Sequence, residues 1–151
     1  MSELYQLSIR EKLQGLEDSS FSSIELTQSY LDRIERIDPG INSYITITQN
    51  EALEQAEKSE KRYQKNEALP LDGIPIAHKD IFCTKGILTT CGSRMLSKFV
   101  SPYSATVATK FEESGSVVLG KTNMDEFAMG SSNETSFFGS VKNPWNKEFV
   151  P

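Results

Sequence analysis

At 151 residues the chain has the length of one ordinary domain, which excludes a large multidomain machine. With 37% hydrophobic and 25% charged residues it carries enough apolar material for a packed core and lacks the depleted composition of a disordered chain. A net charge of -5, from 21 acidic against 16 basic residues, is the wrong balance for a protein whose affinity rests on neutralising phosphates, so nucleic acid is not expected as a direct partner.

The charge is unevenly placed. Residues 1 to 69 hold 13 acids and 8 bases, whereas residues 70 to 151 balance at 8 and 8. No apolar run reaches the roughly 18 residues of a membrane span, and the start MSELYQLSIREKL is too polar for a signal peptide, so the expectation is a cytoplasmic chain with no membrane partner. Cys83 and Cys91 then read as reduced thiols, and one histidine, His78, with two cysteines is too few for a zinc site.

Residues 1 to 69 read as mainly helical. Leu4, Leu7, Leu13 and Leu16 suit a short amphipathic helix closing near Gly15. Ser22 and Glu25 have the spacing of a capping box, which starts a second helix carrying Leu26, Tyr30, Ile34 and Ile37 until Pro39-Gly40 stops it. Tyr44 to Thr48 is short and β-branched, as a strand requires, and residues 51 to 65 form a third, mostly solvated helix with pairs such as Glu54 and Lys58.

Residues 70 to 151 change character. Ile74 to Ala77 and Val117 to Leu119 read as strands, and the segment from Ser104, as N-cap, to the stop at Gly115 reads as the helix between them, with Val107, Ala108 and Phe111 on one face. A strand-helix-strand unit normally joins parallel strands, so the fold class is α/β. Functional loops in such sheets follow the strands, which selects His78-Lys79-Asp80 and residues 121 to 132.

Gly115 to Thr122 fits G-x-x-x-x-G-K-[ST], the pattern of a phosphate-binding loop. The context opposes it. Such a loop follows its strand, and its backbone N-H groups must be free to turn inward, whereas here Val117-Val118-Leu119 is itself the strand. A nucleotide-binding domain is therefore the weaker alternative, and Lys121 is expected to support the strand end through hydrogen bonds.

Three further segments are more specific together than apart. Leu71 to Asp80 (LDGIPIAHKD), Gly86 to Ser93 (GILTTCGS) and Gly120 to Glu134 (GKTNMDEFAMGSSNE) resemble the amidase signature family in order and spacing, and the resemblance spans essentially the whole chain. Within the family it resembles the A-type subunits of tRNA amidotransferases. What this implies is a helical N-terminal segment followed by part of an amidase-signature mixed sheet with flanking helices, so that residues 1 to 151 are the N-terminal portion of a single, incomplete domain.

The resemblance also implies the chemistry. Lys79 matches the lysine of a Ser-cisSer-Lys amidase site, where a buried amine in its neutral form accepts a proton relayed from a serine nucleophile. Met129, Gly130 and Ser131 match residues that line the amide pocket, after a short helix from Asp125 to Ala128. Both serines and the oxyanion-hole donors lie in a Gly/Ser-rich segment that this sequence does not reach, so the chain alone is expected to be inactive. The implied reaction is glutamine hydrolysis that supplies ammonia for amidating misacylated tRNA. Glutamine would be the substrate, and subunits B and C the partners. Contact with tRNA would be indirect. No cofactor would bind this chain, since ATP and magnesium belong to a partner subunit. A noncatalytic partner-binding module is the alternative, and unpaired sheet edges make self-association a further expectation. Phe127, Phe137, Phe138 and Trp145 are read as core.

Overall fold

The computed structural model describes residues 4–151. Met1 to Glu3, where the reading of the polar start begins, lie outside the described residues. In chain order the elements are α1 (Ile9–Glu17), α2 (Ser23–Ile37), β1 (Tyr44–Ile47), α3 (Gln49–Gln64), β2 (Pro75–Lys79), α4 (Thr106–Glu113) and β3 (Val117–Thr122), with 3-10 turns at Leu4–Gln6, Asp38–Gly40 and Glu126–Ala128.

The expected helices form, with two corrections. The leucine-bearing start is a 3-10 turn followed by α1 and not one helix. Ser8 restarts the chain: its hydroxyl accepts the Glu11 N-H while the Glu11 carboxylate accepts the Ser8 N-H, and α1 runs on past Gly15 to Glu17. The same reciprocal box at Ser22 and Glu25 opens α2 as anticipated, with bonds of 2.7 and 3.0 Å. Ser104 does not cap α4. Its hydroxyl accepts the Lys85 N-H at 3.1 Å, and the helix begins two residues later at Thr106. Hydroxyls near helix starts have competing backbone partners.

The strands form one mixed sheet in the order β1-β3-β2. β1 runs antiparallel to β3, pairing Thr46 with Lys121 and Ile47 with Gly120. β2 and β3 run in the same direction: the Val117 N-H donates to the Ile74 carbonyl at their start, and the Asp80 N-H donates to the Thr122 carbonyl at their end. The adjacent parallel pair separated in sequence by α4 matches the expected strand-helix-strand unit. Gly120 is required at its position, because a Cβ there would lie 2.2 Å from the Thr46 carbonyl oxygen of β1.

Contacts divide the described chain into two compact units, a grouping that cuts across the helical and strand-bearing halves. The first comprises residues up to Ile34, Thr48–Ile76 and Thr109–Leu119. Its core joins Leu16, Leu26 and Ile74, with Leu13, Phe21, Tyr30 and Tyr63 packed against them. Asp72, fully buried, accepts from Arg62 Nε at 2.7 Å and Nη2 at 2.5 Å and from the Leu69 N-H, and it holds the Arg62 guanidinium above its ordinary pKa. The Tyr63 hydroxyl donates to the Asp72 carbonyl, and burial pushes its pKa up to about 12.

The second unit comprises Glu35–Ile47, Ala77–Ala108 and Gly120–Pro151. Regular structure is sparse in it. A single antiparallel bridge joins Leu88 to Val100, and the 3-10 turn Glu126–Ala128 stands where a short helix from Asp125 was expected. The aromatic residues read as core are not core. Phe127, Phe137 and Trp145 are 42%, 51% and 94% exposed, and Phe138 is half-buried with its ring edge-on to Phe137. Trp145 follows an Asn-Pro turn in which the Asn143 side chain accepts its N-H, which leaves the indole facing outward.

Candidate active site

The end of β2 sets the geometry. Side chains alternate along a strand, so His78 and Asp80 occupy the buried face and Lys79 between them is exposed. Lys79 and Asp80 therefore point to opposite faces, the lysine outward and the carboxylate inward. The burial of the Lys79 amine was not met: in this chain it opens into a cleft of about 210 Å³ lined also by Asp125, Gly130, Ser131, Ser132 and Asn133. The structure thus brings Lys79 together with Gly130 and Ser131. Met129 lies outside that lining, with 82% of its surface exposed.

Beneath the lysine is a buried ionic cluster. Asp80 and Lys121 are both fully buried, with Nζ 3.3 Å from Oδ1. The other carboxylate oxygen accepts the Thr90 N-H at 2.8 Å and the Thr90 hydroxyl at 2.5 Å. Lys121 also donates to the Phe82 carbonyl at 2.8 Å and to the Thr89 hydroxyl at 2.9 Å. The cluster ties the segments after Lys79 and around Thr90 to the end of β3. Burial lowers the Lys121 pKa, and Asp80 opposes that shift. Burial and the Lys121 charge lower that of His78, while burial and Asp80 raise that of the Cys91 thiol. Cys83 and Cys91 are free thiols.

This geometry removes the phosphate-loop alternative. Val117 through Thr122, including Gly120 and Lys121, form β3, no α-helix follows among the described residues, and the Lys121 amine is committed to Phe82, Thr89 and Asp80. Its structural role at the strand end is as expected.

Asp125 also lines the cleft, a residue read from the sequence only as the start of a short helix. Its Oδ2 accepts the Asn133 N-H at 2.8 Å, and its Oδ1 accepts the N-H and hydroxyl of Thr135 at 3.0 and 2.8 Å. Hydrogen bonds from Thr135 and Asn133 lower its pKa to about 2. Asp80 and Asp125 each precede, by ten residues, a threonine that gives the carboxylate both its N-H and its hydroxyl. Apart from this shared spacing, nothing in the local sequence marks either aspartate.

Comparison with known proteins fits this arrangement. Residues 25–151 match the Amidase family model. The chain is 60% identical over 148 residues to the A subunit of the glutamyl-tRNA(Gln) amidotransferase of Methylococcus capsulatus and 57% identical over 144 residues to that of Hahella chejuensis, covering 98% and 95% of this chain and 30% of each relative. Among solved structures, the A subunit of the Thermotoga maritima glutamyl-tRNA(Gln) amidotransferase superposes with a TM-score of 0.81 at 38% identity, over all of this chain and 30% of that one. A bacterial aryl acylamidase of the amidase signature family gives 0.86 at 29% identity, over 95% and 30%. The chain therefore spans about three-tenths of the length of these relatives, and its mixed sheet with flanking helices is part of an amidase-signature domain. By the family match and by this fold, the chain belongs to the amidase family.

Proposed function

We propose that the chain is the lysine-bearing part of the A subunit of a glutamine-dependent tRNA amidotransferase, in which it contributes to hydrolysing glutamine and so to supplying ammonia for the amidation of misacylated Glu-tRNA(Gln) or Asp-tRNA(Asn). The observation that carries the reading is the meeting of Lys79 with Gly130 and Ser131 in one cleft at the end of β2. In this proposal Lys79 takes the proton of a serine nucleophile through a bridging hydroxyl, both supplied by the rest of the subunit. Gly130 and Ser131 orient the amide, with Met129 beside them. Subunits B and C complete a cytoplasmic complex, tRNA is met through that complex, and ATP with magnesium acts on a partner subunit, not here.

The test is ammonia release from glutamine by the full-length subunit in complex with its partners. Lys79→Ala is expected to lose at least about 10²-fold in turnover, the lower end of what a positioned general base contributes. Lys79→Arg is the sharper variant, because arginine still donates hydrogen bonds but stays protonated. Near-wild-type turnover in Lys79→Arg would make Lys79 an anchor and defeat the assignment. The 151 residues alone are expected to release no ammonia, since they lack both reacting serines and the oxyanion donors.

A partner-binding role draws on a separate observation. Met95, Trp145 and Phe149 are 83%, 94% and 65% exposed, and β1 and β2 are the outer strands of the described sheet. Such surface invites association. Light scattering on the isolated 151 residues is expected to show self-association, and a monodisperse monomer would count against this reading.

A further inference from the structure

The segment from Glu126 to Thr135 forms one wall of the cleft yet contains no helix or strand beyond a single 3-10 turn. Its conformation is costly. Phe127, Ala128 and Asn133 hold φ values of 51°, 60° and 58°, a region that side chains with a Cβ enter only when their surroundings fix them. The Phe127 N-H donates to the Cys91 carbonyl, and the Ala128 and Met129 N-H groups donate to the carbonyls of Asp125 and Glu126. These bonds fix the entry to the segment and leave its far end to be held otherwise.

The two ends of the segment are joined by the Asp125 and Thr135 side chains, while the Asn133 side chain accepts the Val141 N-H at 2.6 Å from outside the segment. The Asp125 carboxylate, 7% exposed, receives the Asn133 N-H and both donors of Thr135. The Thr135 hydroxyl, while donating to Asp125, accepts the Glu126 N-H at 3.1 Å, so the two ends of the segment close on one hydroxyl. Gly130 rests on the same carboxylate: a Cβ there would lie 2.5 to 2.8 Å from its carbon and two oxygens. Gly130 and Ser131 thus owe their place in the cleft to contact with, and bonds around, one buried anion.

We propose that Asp125, acting with Thr135, is a positioning residue that presents Gly130 and Ser131 to the amide substrate opposite Lys79. It touches no reacting atom. The inference rests on the glutaminase reading above, and it deepens that reading by naming what fixes the substrate side of the site. Because the carboxylate acts on the segment that orients substrate and not on the proton relay, its loss acts on KM and leaves kcat largely intact.

The experiment uses the full-length subunit within its complete complex, with wild type and Lys79→Ala as controls and Asp125→Asn, Thr135→Val and Thr135→Ser as variants. Glutaminase KM and kcat, thermal midpoint and amide hydrogen exchange are read on each. Asp125→Asn keeps the shape but weakens bonds made to a charged group. It is expected to raise KM for glutamine about tenfold or more, the equivalent of one such bond, with kcat within about threefold of wild type. Thr135→Val is expected to move KM in the same direction, and Thr135→Ser, which restores the hydroxyl, to return it to near wild type. Exchange protection at Asn133 and Thr135 should fall about tenfold in Asp125→Asn and Thr135→Val with other regions unchanged. Should Asp125→Asn fail to fold, Thr135→Val carries the same test.

An unchanged KM in both Asp125→Asn and Thr135→Val, or a fall in kcat at constant KM, would overturn the proposal. So would a thermal midpoint that drops with no change in KM. Failure of the underlying reading looks different: Lys79→Ala would then retain glutaminase activity, or wild type would have none, while the loss of exchange protection at Asn133 and Thr135 would still report on the positioning itself.

Discussion

The two units are each held together by different physics. Of the twelve buried hydrophobic residues among those described, ten belong to the first unit and only Ala108 and Met124 to the second. The buried polar residues lean the other way, with ten in the second unit, among them Asp80, Lys121, Asp125, Thr89 and Thr90. Apolar packing is non-directional and tolerant, whereas a buried polar cluster fixes atoms to within hydrogen-bonding distance and fails when one partner is missing. The unit that holds the cleft is the one built in the second manner, as a site that must keep several side chains in fixed positions requires.

The largest effect expected from this contrast is at Lys121. Replacing it with Met removes an ammonium that is fully buried and leaves the Asp80 carboxylate buried with Thr90 as its remaining side-chain partner among the described residues. Breaking a buried pair on one side costs about 3 to 5 kcal/mol. Urea denaturation of the full-length protein should show that loss, and the double variant Asp80→Asn/Lys121→Met should recover part of it. A loss under about 1 kcal/mol in the single variant, the range of surface pairs, would show that the cluster is not what holds this unit.

In the first unit the matching test is Leu26→Ala. Leu26 is fully buried in the cluster with Leu16 and Ile74, and truncating it should cost about 3 kcal/mol, set by transfer and cavity terms. Conservative exchange to Met should be tolerated there, at about 1 kcal/mol or less, while Lys121→Arg in the second unit should not be, because a planar fork cannot reproduce the placement of one Nζ among Phe82, Thr89 and Asp80. Equal tolerance at the two positions would erase the distinction. A smaller effect, about 1 kcal/mol, is expected from Ser22→Ala, which removes the hydroxyl that opens α2. Thermal unfolding would read it.

The same contrast explains which parts of the molecule could be read from sequence. Leu26, Tyr30 and Ile34 recur at helical spacing because α2 buries one face, and Ser22 with Glu25 marks its start, so periodicity and capping expose the first unit directly. The second unit is made of Ser, Thr, Asn, Asp and Gly, the types that also make loops, and its long-range bonds such as Asp80 to Thr90 have no period. There the fold and the cleft were legible through family resemblance, which selected Lys79, Gly130 and Ser131, while Asp125 and Thr135 carried no local pattern to distinguish them from turn residues. The aromatic residues failed for a related reason. Hydrophobic type predicts burial only when an element directs the side chain inward, and Phe137 and Trp145 lie in irregular chain.

The smallest expected effect lies in the pH dependence of stability. In the second unit, His78 has a pKa below its ordinary 6.5, from burial and the neighbouring Lys121 charge, and Asp125 has one lowered from 3.8 to about 2. Just below pH 6.5 the unfolded chain binds a proton at His78 that the folded chain does not, and between pH 3.8 and about 2 the same holds at Asp125, so in both windows stability falls as pH falls. Tyr63 in the first unit is raised from 10.0 to about 12, chiefly by burial. Between those values the unfolded chain has lost the phenolic proton that the folded chain keeps, so this contribution is present below pH 10 and lost as pH rises toward 12. Acid should therefore weaken the second unit through His78 and Asp125, while alkali acts on Tyr63 in the first unit and on Cys91, whose thiol burial also holds above its ordinary pKa, in the second. Hydrogen exchange is too pH-dependent to compare across that range, so thermal midpoints of His78→Gln, Asp125→Asn and Tyr63→Phe against wild type are the measurement. His78→Gln should flatten the profile just below pH 6.5, Asp125→Asn should flatten it below pH 3.8, and Tyr63→Phe should flatten it above pH 10. If Tyr63→Phe left the alkaline limb unchanged, or His78→Gln and Asp125→Asn left the acid limb unchanged, these residues would not be the source of the pH dependence.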